Sequence, residues 1–242
     1  MRQAIRLLKG SALQIYRDQM LLLLCIAPFL TGTVMCLVIP LADRLLVKYA
    51  NFTITPYYLM SDALVMTLGS MMSGIMVGLL MLDERDDGIC AYYAVTPIGG
   101  VAYLVSRLAL PFIYSLFSAL IVIAYSALGG MDYVLLLAPA VLSACSGPVM
   151  AMLLVSIASN KVEGLAVSKL IGIIIFGIPI AWFADSWLRV IGYLLPSFWP
   201  MDMLLQAKAG DMAGYVLDFA IGLACICMWI AGLYGMFSRK MG

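Results

Sequence analysis

The sequence contains no histidine among its 242 residues, and only 11% of them are Asp, Glu, Lys or Arg. Without histidine, the chain lacks the usual general base at neutral pH and the commonest metal ligand. None of its six cysteines belongs to a Cys-x-x-Cys pair, and five stand in apolar runs, where cysteine behaves as a small hydrophobic residue. We therefore expect no catalytic residues, no metal site and no disulfide framework.

The chain also lacks the phosphate-binding loop of many ATP-binding proteins, because no Gly-x-x-x-x-Gly-Lys motif occurs in it. Any energy from ATP must therefore come from a separate subunit, and we do not expect an enzyme. The net charge of +1 gives no indication of a nucleic-acid partner.

Apolar sequence dominates the chain, with 64% hydrophobic residues and a mean hydropathy of +1.06. Uncharged runs of about 20 residues are long enough to cross a bilayer, and such a composition needs lipid. We predict an all-α membrane protein, a single transmembrane domain over residues 1–242 with six transmembrane helices. The predicted spans are 20–40, 59–82, 108–128, 133–159, 164–184 and 214–237. The first run is too long for a signal peptide, so we expect it to remain as an anchor.

Two segments outside the spans have their own patterns. Residues 1–18 place basic residues on one helical arc and apolar residues on the other, which predicts an amphipathic interfacial helix. Residues 185–213 are apolar and aromatic but interrupted by Pro196 and Pro200, which predicts an outer re-entrant or interfacial segment before the last span. Four of its aromatic residues are expected at headgroup level: Trp187, Tyr193, Phe198 and Trp199.

The distribution of basic residues predicts the topology. If both termini are cytoplasmic, ten of the fourteen Lys and Arg residues lie inside, in agreement with the positive-inside rule. The chain is therefore expected to be a multi-pass protein of the plasma membrane. Asp62 and Asp218 fall near outer span ends, where simple solvation would explain them. Prolines at 28, 139 and 148 predict kinks or breaks in the first and fourth spans.

The longest polar interruption in the first half of the chain, residues 83–107, opens with five adjacent charges. Such a cluster cannot lie in hydrocarbon, so the segment faces water or a soluble partner. Asp86 or Asp87 can cap a short helix over 91–95, and Thr96-Pro97 favours its end. The glycines at 99 and 100 then predict a flexible turn.

The segment contains Glu84-Arg85-Asp86-x-Gly88, then a short helix, then Val-Thr-Pro-Ile, and a basic residue at the next span. This arrangement resembles the loop between the second and third spans of ABC-2 type transporter permeases. In that family this cytoplasmic loop holds the coupling helix that docks on an ATP-binding subunit. This chain departs from the family at Ile89-Cys90, where Thr-Leu is usual. A solvated loop without a docking role is the alternative. The positions to which the resemblance gives a coupling role are Glu84, Arg85, Asp86, Asp87, Gly88, Tyr92, Thr96, Pro97 and Arg107.

The resemblance implies the permease subunit of an ABC exporter, in which ATP hydrolysis by a separate subunit drives export of a drug, peptide or lipid-like substrate. ATP and magnesium would then be bound by that partner, with no cofactor in this chain. A second copy or a paralogous permease would complete the pathway. The first alternative is an ATP-independent secondary transporter or channel, which would need ionisable residues at span centres that the sequence lacks. The second is a structural membrane partner.

Small residues form stripes on two spans. Gly74 and Gly78 make a small-xxx-small motif in the second span, and Gly164, Ser168 and Gly172 recur every four residues in the fifth. The resemblance implies that these two spans line the pathway, although close helix packing is the commoner explanation for any single residue. The resulting substrate-pathway candidates are Ser70, Ser73, Gly74, Ser168 and Gly172.

Overall fold

The computed structural model describes residues 18–89, 99–185 and 187–241. Within these ranges the chain is all-α, and no strand occurs. Six stretches of the described chain are helical, long and apolar enough to cross a membrane, which confirms the predicted all-α class and its six candidate spans. The helices are α1 Gln19–Ala50, α2 Tyr58–Asp86, α3 Gly99–Ser126, α4 Tyr133–Ile157, α5 Lys161–Ile171, α6 Gly177–Phe183, α7 Trp187–Gly192, α8 Phe198–Ala209 and α9 Met212–Met241.

Helix α1 extends well beyond the predicted first span. Asp18 caps its start by accepting hydrogen bonds from the backbone N–H groups of the next turn, and Asn51 ends it in the left-handed conformation, with φ of 49°. Its 32 residues reach about 48 Å, more than the roughly 30 Å of a hydrocarbon core. The predicted end of this span at residue 40 would leave Asp43, Arg44 and Lys48 in an outer loop, which was wrong, because all three lie on further turns of α1.

Helices α2 and α4 form the centre of the bundle. Their apolar windows are 78% and 72% buried, against 11% for α1 and 28% for α9. Glycine makes this contact close, because a Cβ at Gly74 would lie 2.5 Å from both the Gly147 carbonyl oxygen and Met150 Cβ. The close packing predicted for the small-residue motif of α2 is confirmed. The peripheral helices are left to face lipid or another chain.

The fourth span does not break at its prolines, and the fifth span has an interruption that was not predicted. Helix α4 continues without a break through Pro139 and Pro148, whose buried neighbours pack the helix on both sides. The fifth span, by contrast, is interrupted by a 3-10 helix, Gly172–Phe176, between α5 and α6. There the Ser197 hydroxyl donates to the Ile174 carbonyl. In a regular α-helix that carbonyl would accept a backbone N–H of the same helix, so the side chain from another segment replaces an internal hydrogen bond.

The segment before the last span folds back on the bundle as α7 and α8. Helix α8 packs against α4, α6 and α9, and Phe198 and Trp199 are only 0% and 5% exposed. These two rings are therefore enclosed by protein, and the expectation that they contact lipid headgroups is wrong for them. Gly222 on α9 permits this packing, because a Cβ there would lie 2.8 Å from Trp199 Cβ.

The bundle has two ends, which we name after one acidic residue at each. The Glu84 end holds the start of α1, the end of α2, the start of α3, the end of α4 and the start of α5; the Asp62 end is opposite and carries α7 and α8. Because α2 reaches Asp86 and α3 begins at Gly99, their connection is shorter than the predicted loop 83–107, and Gly99-Gly100 is helical. The predicted interfacial helix before Asp18 and the short helix over 91–95 lie outside the described residues.

Candidate coupling face and substrate cavity

Glu84 and Arg107 form a buried ion pair where α2 ends and α3 begins. Their exposed fractions are 2% and 4%. Arg107 Nε donates to Glu84 Oε2 at 3.0 Å, while Arg107 Nη2 donates to Oε1. Tyr103 Oη donates to Oε2 at 2.6 Å, and its ring centroid lies 5.4 Å from the guanidinium carbon. Since removal of either charge would deprive the other buried group of this counter-charge, the pair holds α2 and α3 together.

Arg85 connects the same end of α2 to α4. Its Nη1 donates to the Ala158 carbonyl at 3.1 Å, and Nη2 donates to the Val155 carbonyl at 3.2 Å. The last carbonyls of a helix have no partner within the helix and carry partial negative charge. Arg85 therefore caps α4 from outside and fixes its end beside α2.

Lys161, the first residue of α5, joins three helices. Its Nζ donates to Asp18 Oδ2 at 3.0 Å and to Asp83 Oδ2 at 3.1 Å, while its backbone N–H donates to Asp86 Oδ2 at 3.0 Å. The hydrogen bond from Lys161 lowers the pKa of Asp18, since it favours the charged carboxylate. These contacts connect the start of α1, the end of α2 and the start of α5.

The residues predicted to couple to an ATPase thus fall into groups. Glu84, Arg85 and Arg107 bind other parts of this chain, whereas Asp87 and Gly88 are exposed beyond the end of α2. Gly88 has a φ of +72°, a left-handed conformation that glycine adopts without strain. Outside the described residues lie three further predicted positions, Tyr92, Thr96 and Pro97. The coupling role of the whole set stays a prediction.

The pathway candidates on α2 lie between packed helices. Ser70 and Ser73 are fully buried, and Ser73 Oγ lies 2.6 Å from Ser115 Oγ on α3. Gly74 contacts the backbone of α4 at Gly147. These three residues therefore contribute helix contacts in this structure, and their pathway role remains a prediction.

The two candidates on the fifth span have a different environment. Ser168 is half-buried and donates back to the Leu165 carbonyl at 2.8 Å. Gly172 has open space where a Cβ would stand, with nothing within 4 Å. Their surface remains available to a ligand, lipid or second chain, and their pathway role also stays a prediction.

Asp62 has a structural partner that the sequence did not reveal. It is 5% exposed, and its two carboxylate oxygens accept the backbone N–H groups of Leu128 at 2.9 Å and Gly129 at 2.8 Å. The expected solvation of Asp62 is therefore wrong. Its carboxylate instead satisfies the turn between α3 and α4, which fixes those helices as antiparallel neighbours.

A cavity of about 680 Å³ opens beside α8 and α9 at the Asp62 end. Its walls combine ionisable, aromatic and apolar side chains. Among the described residues, no group of three or more His, Cys, Asp or Glu side chains could hold a metal ion. The polar and aromatic residues that line the cavity are Arg189, Tyr193, Trp199, Asp202, Gln206 and Asp218.

The two carboxylates of the cavity are buried, and they outnumber its one basic group. Asp202 is 4% exposed and pairs with Arg189, whose Nη2 lies 2.5 Å from Asp202 Oδ1. Asp218 is 7% exposed, so its expected solvation is also wrong, and its Oδ2 has no hydrogen-bond partner among the described residues. This group of charges was not predicted from the sequence, although Arg189 and Asp202 stand out as charged residues inside an apolar, aromatic segment.

Comparison with known proteins places the chain in a family. The family model described as "Fluoroquinolones export permease protein Rv2686c-like" matches residues 11–234, most of the chain. The chain belongs to this family of export permeases. The match confirms the predicted export permease and its transport role.

Two relatives of the permease come from Mycobacterium tuberculosis. They are the fluoroquinolones export permease proteins MT2760, from strain CDC 1551 / Oshkosh, and Rv2686c, from strain ATCC 25618 / H37Rv. Each is 29% identical over 188 residues, which cover 76% of this chain and 74% of the relative. No solved structure matches the chain.

Proposed function

We propose that the permease is the membrane-spanning subunit of an ATP-driven exporter and that a separate ATP-binding subunit docks at the Glu84 end. Membership of an export permease family supports the export role. The observation that carries the coupling proposal is the set of charged contacts that fixes the end of α2 to α1, α3, α4 and α5. Conformational coupling needs packed, rigid elements of this kind between two sites.

The proposed mechanism uses the connection between α2 and α3 as the docking element. ATP binding would bring two ATP-binding subunits together and displace this connection. Because Glu84 and Arg107 are buried together, α2 and α3 would move as one body, and Arg85 would transmit the displacement to α4. Since α2 and α4 form the centre of the bundle, their shift would change the balance between inward-open and outward-open states.

The proposed topology follows from the same end of the molecule. The Glu84 end faces the cytoplasm, both termini are cytoplasmic, and residues 1–18 lie as an interfacial helix near the ATP-binding subunit. The segment containing α7 and α8 is then on the outer side of the plasma membrane. The bias of basic residues supports this orientation.

The proposed cargo is a drug-sized amphipathic compound, by analogy with the relatives that are named for fluoroquinolones. A second permease copy, or a paralogous permease, would complete the pathway. The largely exposed apolar surface of α1 is available for such a contact.

The coupling proposal can be tested with a charge reversal that spares the internal network. Asp87 is exposed, so we expect Asp87→Lys to fold normally and to lower the ATPase activity that co-purifies from detergent-solubilised membranes by at least about fivefold. Asp132→Lys, an exposed charge reversal at the Asp62 end, is the matched control and should leave that activity unchanged. A permease that purifies without any ATPase, whether or not Asp87 is replaced, would contradict the proposal.

A secondary transporter is the second candidate, because the structure buries ionisable groups that the sequence had not indicated. Asp202 and Asp218 line one cavity, and buried acids of this kind serve ion-coupled transporters. Transport in sealed vesicles separates the two candidates. Uptake into inverted vesicles that needs ATP in the external medium, where the cytoplasmic face lies, supports the exporter, whereas uptake driven by a proton gradient alone supports the secondary transporter.

A further inference from the structure

We propose that the cavity beside α8 and α9 binds an organic ammonium ion that is attached to an aromatic or apolar body, with Asp218 as the residue that holds the positive charge. This inference deepens the proposed export function, because the amine would be the cargo. Its test needs no ATP, so that a failure of the amine site and a failure of ATP coupling give different results.

Asp218 indicates that a ligand belongs in the cavity. It is 7% exposed, and its buried Oδ2 has no hydrogen-bond partner among the described residues. The Gln206 side chain lines the same cavity, but an amide carries no charge that could balance the carboxylate. A buried carboxylate oxygen without a donor is unfavourable, and a bound donor with a positive charge would satisfy it best.

The pairing of Arg189 determines the sign of the charge that a ligand would carry. Its guanidinium is held 2.5 Å from Asp202 and lies 5.4 Å from the centroid of the Phe198 ring, so its charge is already matched. One arginine and two aspartates line the cavity, so these three side chains have a net negative charge of one when all are ionised. A cation is therefore complementary to this cavity, and an anion is not.

The aromatic walls select the body of the ligand. Tyr193 and Trp199 stack with their ring centroids 5.5 Å apart and an interplanar angle of 22°. The Trp199 indole N–H is already used, since it donates to the Tyr193 carbonyl at 3.1 Å. What these rings offer a ligand is apolar surface and an electron-rich face, which attracts cations. The volume of about 680 Å³ suits a drug-sized molecule.

A matched pair of fluorescent probes tests the assignment on the purified permease in detergent. Dansylcadaverine carries a primary ammonium on an aromatic body, and its N-acetyl derivative has the same fluorophore without the charge. We expect wild-type protein to bind dansylcadaverine at least about tenfold more tightly than the acetylated probe, a difference of about 1.4 kcal/mol. Equal affinity for the two probes would overturn the proposal without reference to any variant.

Two variants then identify the carboxylate responsible. Asp218→Asn keeps the size of the side chain and should abolish the preference for the charged probe. Asp211→Asn removes an exposed charge near the same helix start, retains an acceptor for the Gly214 N–H, and should change affinity less than twofold. Retention of the charge preference in Asp218→Asn would refute the role of this residue.

The ammonium group could also come from a lipid, and competition separates the two sources. Phosphatidylethanolamine has a primary ammonium headgroup, whereas phosphatidylglycerol has none. If neither lipid displaces dansylcadaverine, the site belongs to a soluble amine, as proposed. Displacement by phosphatidylethanolamine alone would overturn that assignment and give the site to a lipid headgroup.

Discussion

Glu84→Gln is the change that tests most directly whether the Glu84 end depends on a buried ion pair. The substitution keeps the size of the side chain and an acceptor for Tyr103 Oη, but it removes the Glu84 charge from the Arg107 guanidinium, which is 4% exposed. Breaking a buried ion pair from one side costs about 3–5 kcal/mol. In a chain of this size, 1 kcal/mol corresponds to roughly 2–4 °C, so we expect the melting temperature to fall by roughly 6–20 °C.

The assay is thermal unfolding of the purified permease in detergent, followed by circular dichroism. Glu163→Gln makes the same chemical change at an exposed position of the same end and should shift the melting temperature by less than about 2 °C. The double variant Glu84→Gln, Arg107→Met removes both charges and should be less destabilised than Glu84→Gln alone. If Glu84→Gln has the same melting temperature as wild-type protein, the ion pair does not hold α2 to α3 as described. The same conclusion follows if the stability loss of the double variant equals the sum of the losses of the two single variants.

Two further predictions concern packing and pH. Gly74→Ala should destabilise the protein by about 1–3 kcal/mol, because the new Cβ would lie 2.5 Å from Met150 Cβ. In the control variant Gly172→Ala the new Cβ enters open space, so stability should change by less than about 0.5 kcal/mol. Equal melting temperatures for the two variants would contradict this prediction. The lowered pKa of Asp18 means that its bond to Lys161 contributes stability above the usual value of 3.8 and loses it as the pH falls through the folded value. Asp18→Asn should therefore reduce the acid sensitivity of unfolding as the pH falls below 3.8, as circular dichroism at stepped pH would measure, and an unchanged pH profile would refute the role of this bond.

Sequence alone determined the class of the molecule and the number of its spans. Whether an apolar run of about 20 residues enters lipid depends on its own transfer free energy, which is a local property of the sequence. The same holds for the small-xxx-small motif, because a glycine at every fourth position clears one face of a helix whatever its partner. Gly74 could therefore be assigned to close packing before its partner on α4 was known.

Burial of polar groups was decided only by the tertiary structure. Asp62 and Asp218 occupy similar places near span ends, yet one accepts two backbone N–H groups of a distant turn and the other lines a cavity. Glu84 reads in the sequence as one charge in a solvated cluster, but Arg107 and Tyr103 on another helix enclose it. Each outcome depends on which helices pack together, and local composition carries no information on that.

The segment before the last span shows the same division. Its prolines and aromatic residues predict an irregular, membrane-associated region, and that much follows from local conformational preference and polarity. An aromatic side chain gains free energy both at a headgroup layer and in a protein core, so composition cannot choose between them. Close approach at Gly222 placed Trp199 in the core, and with it α8, Asp202 and one wall of the cavity.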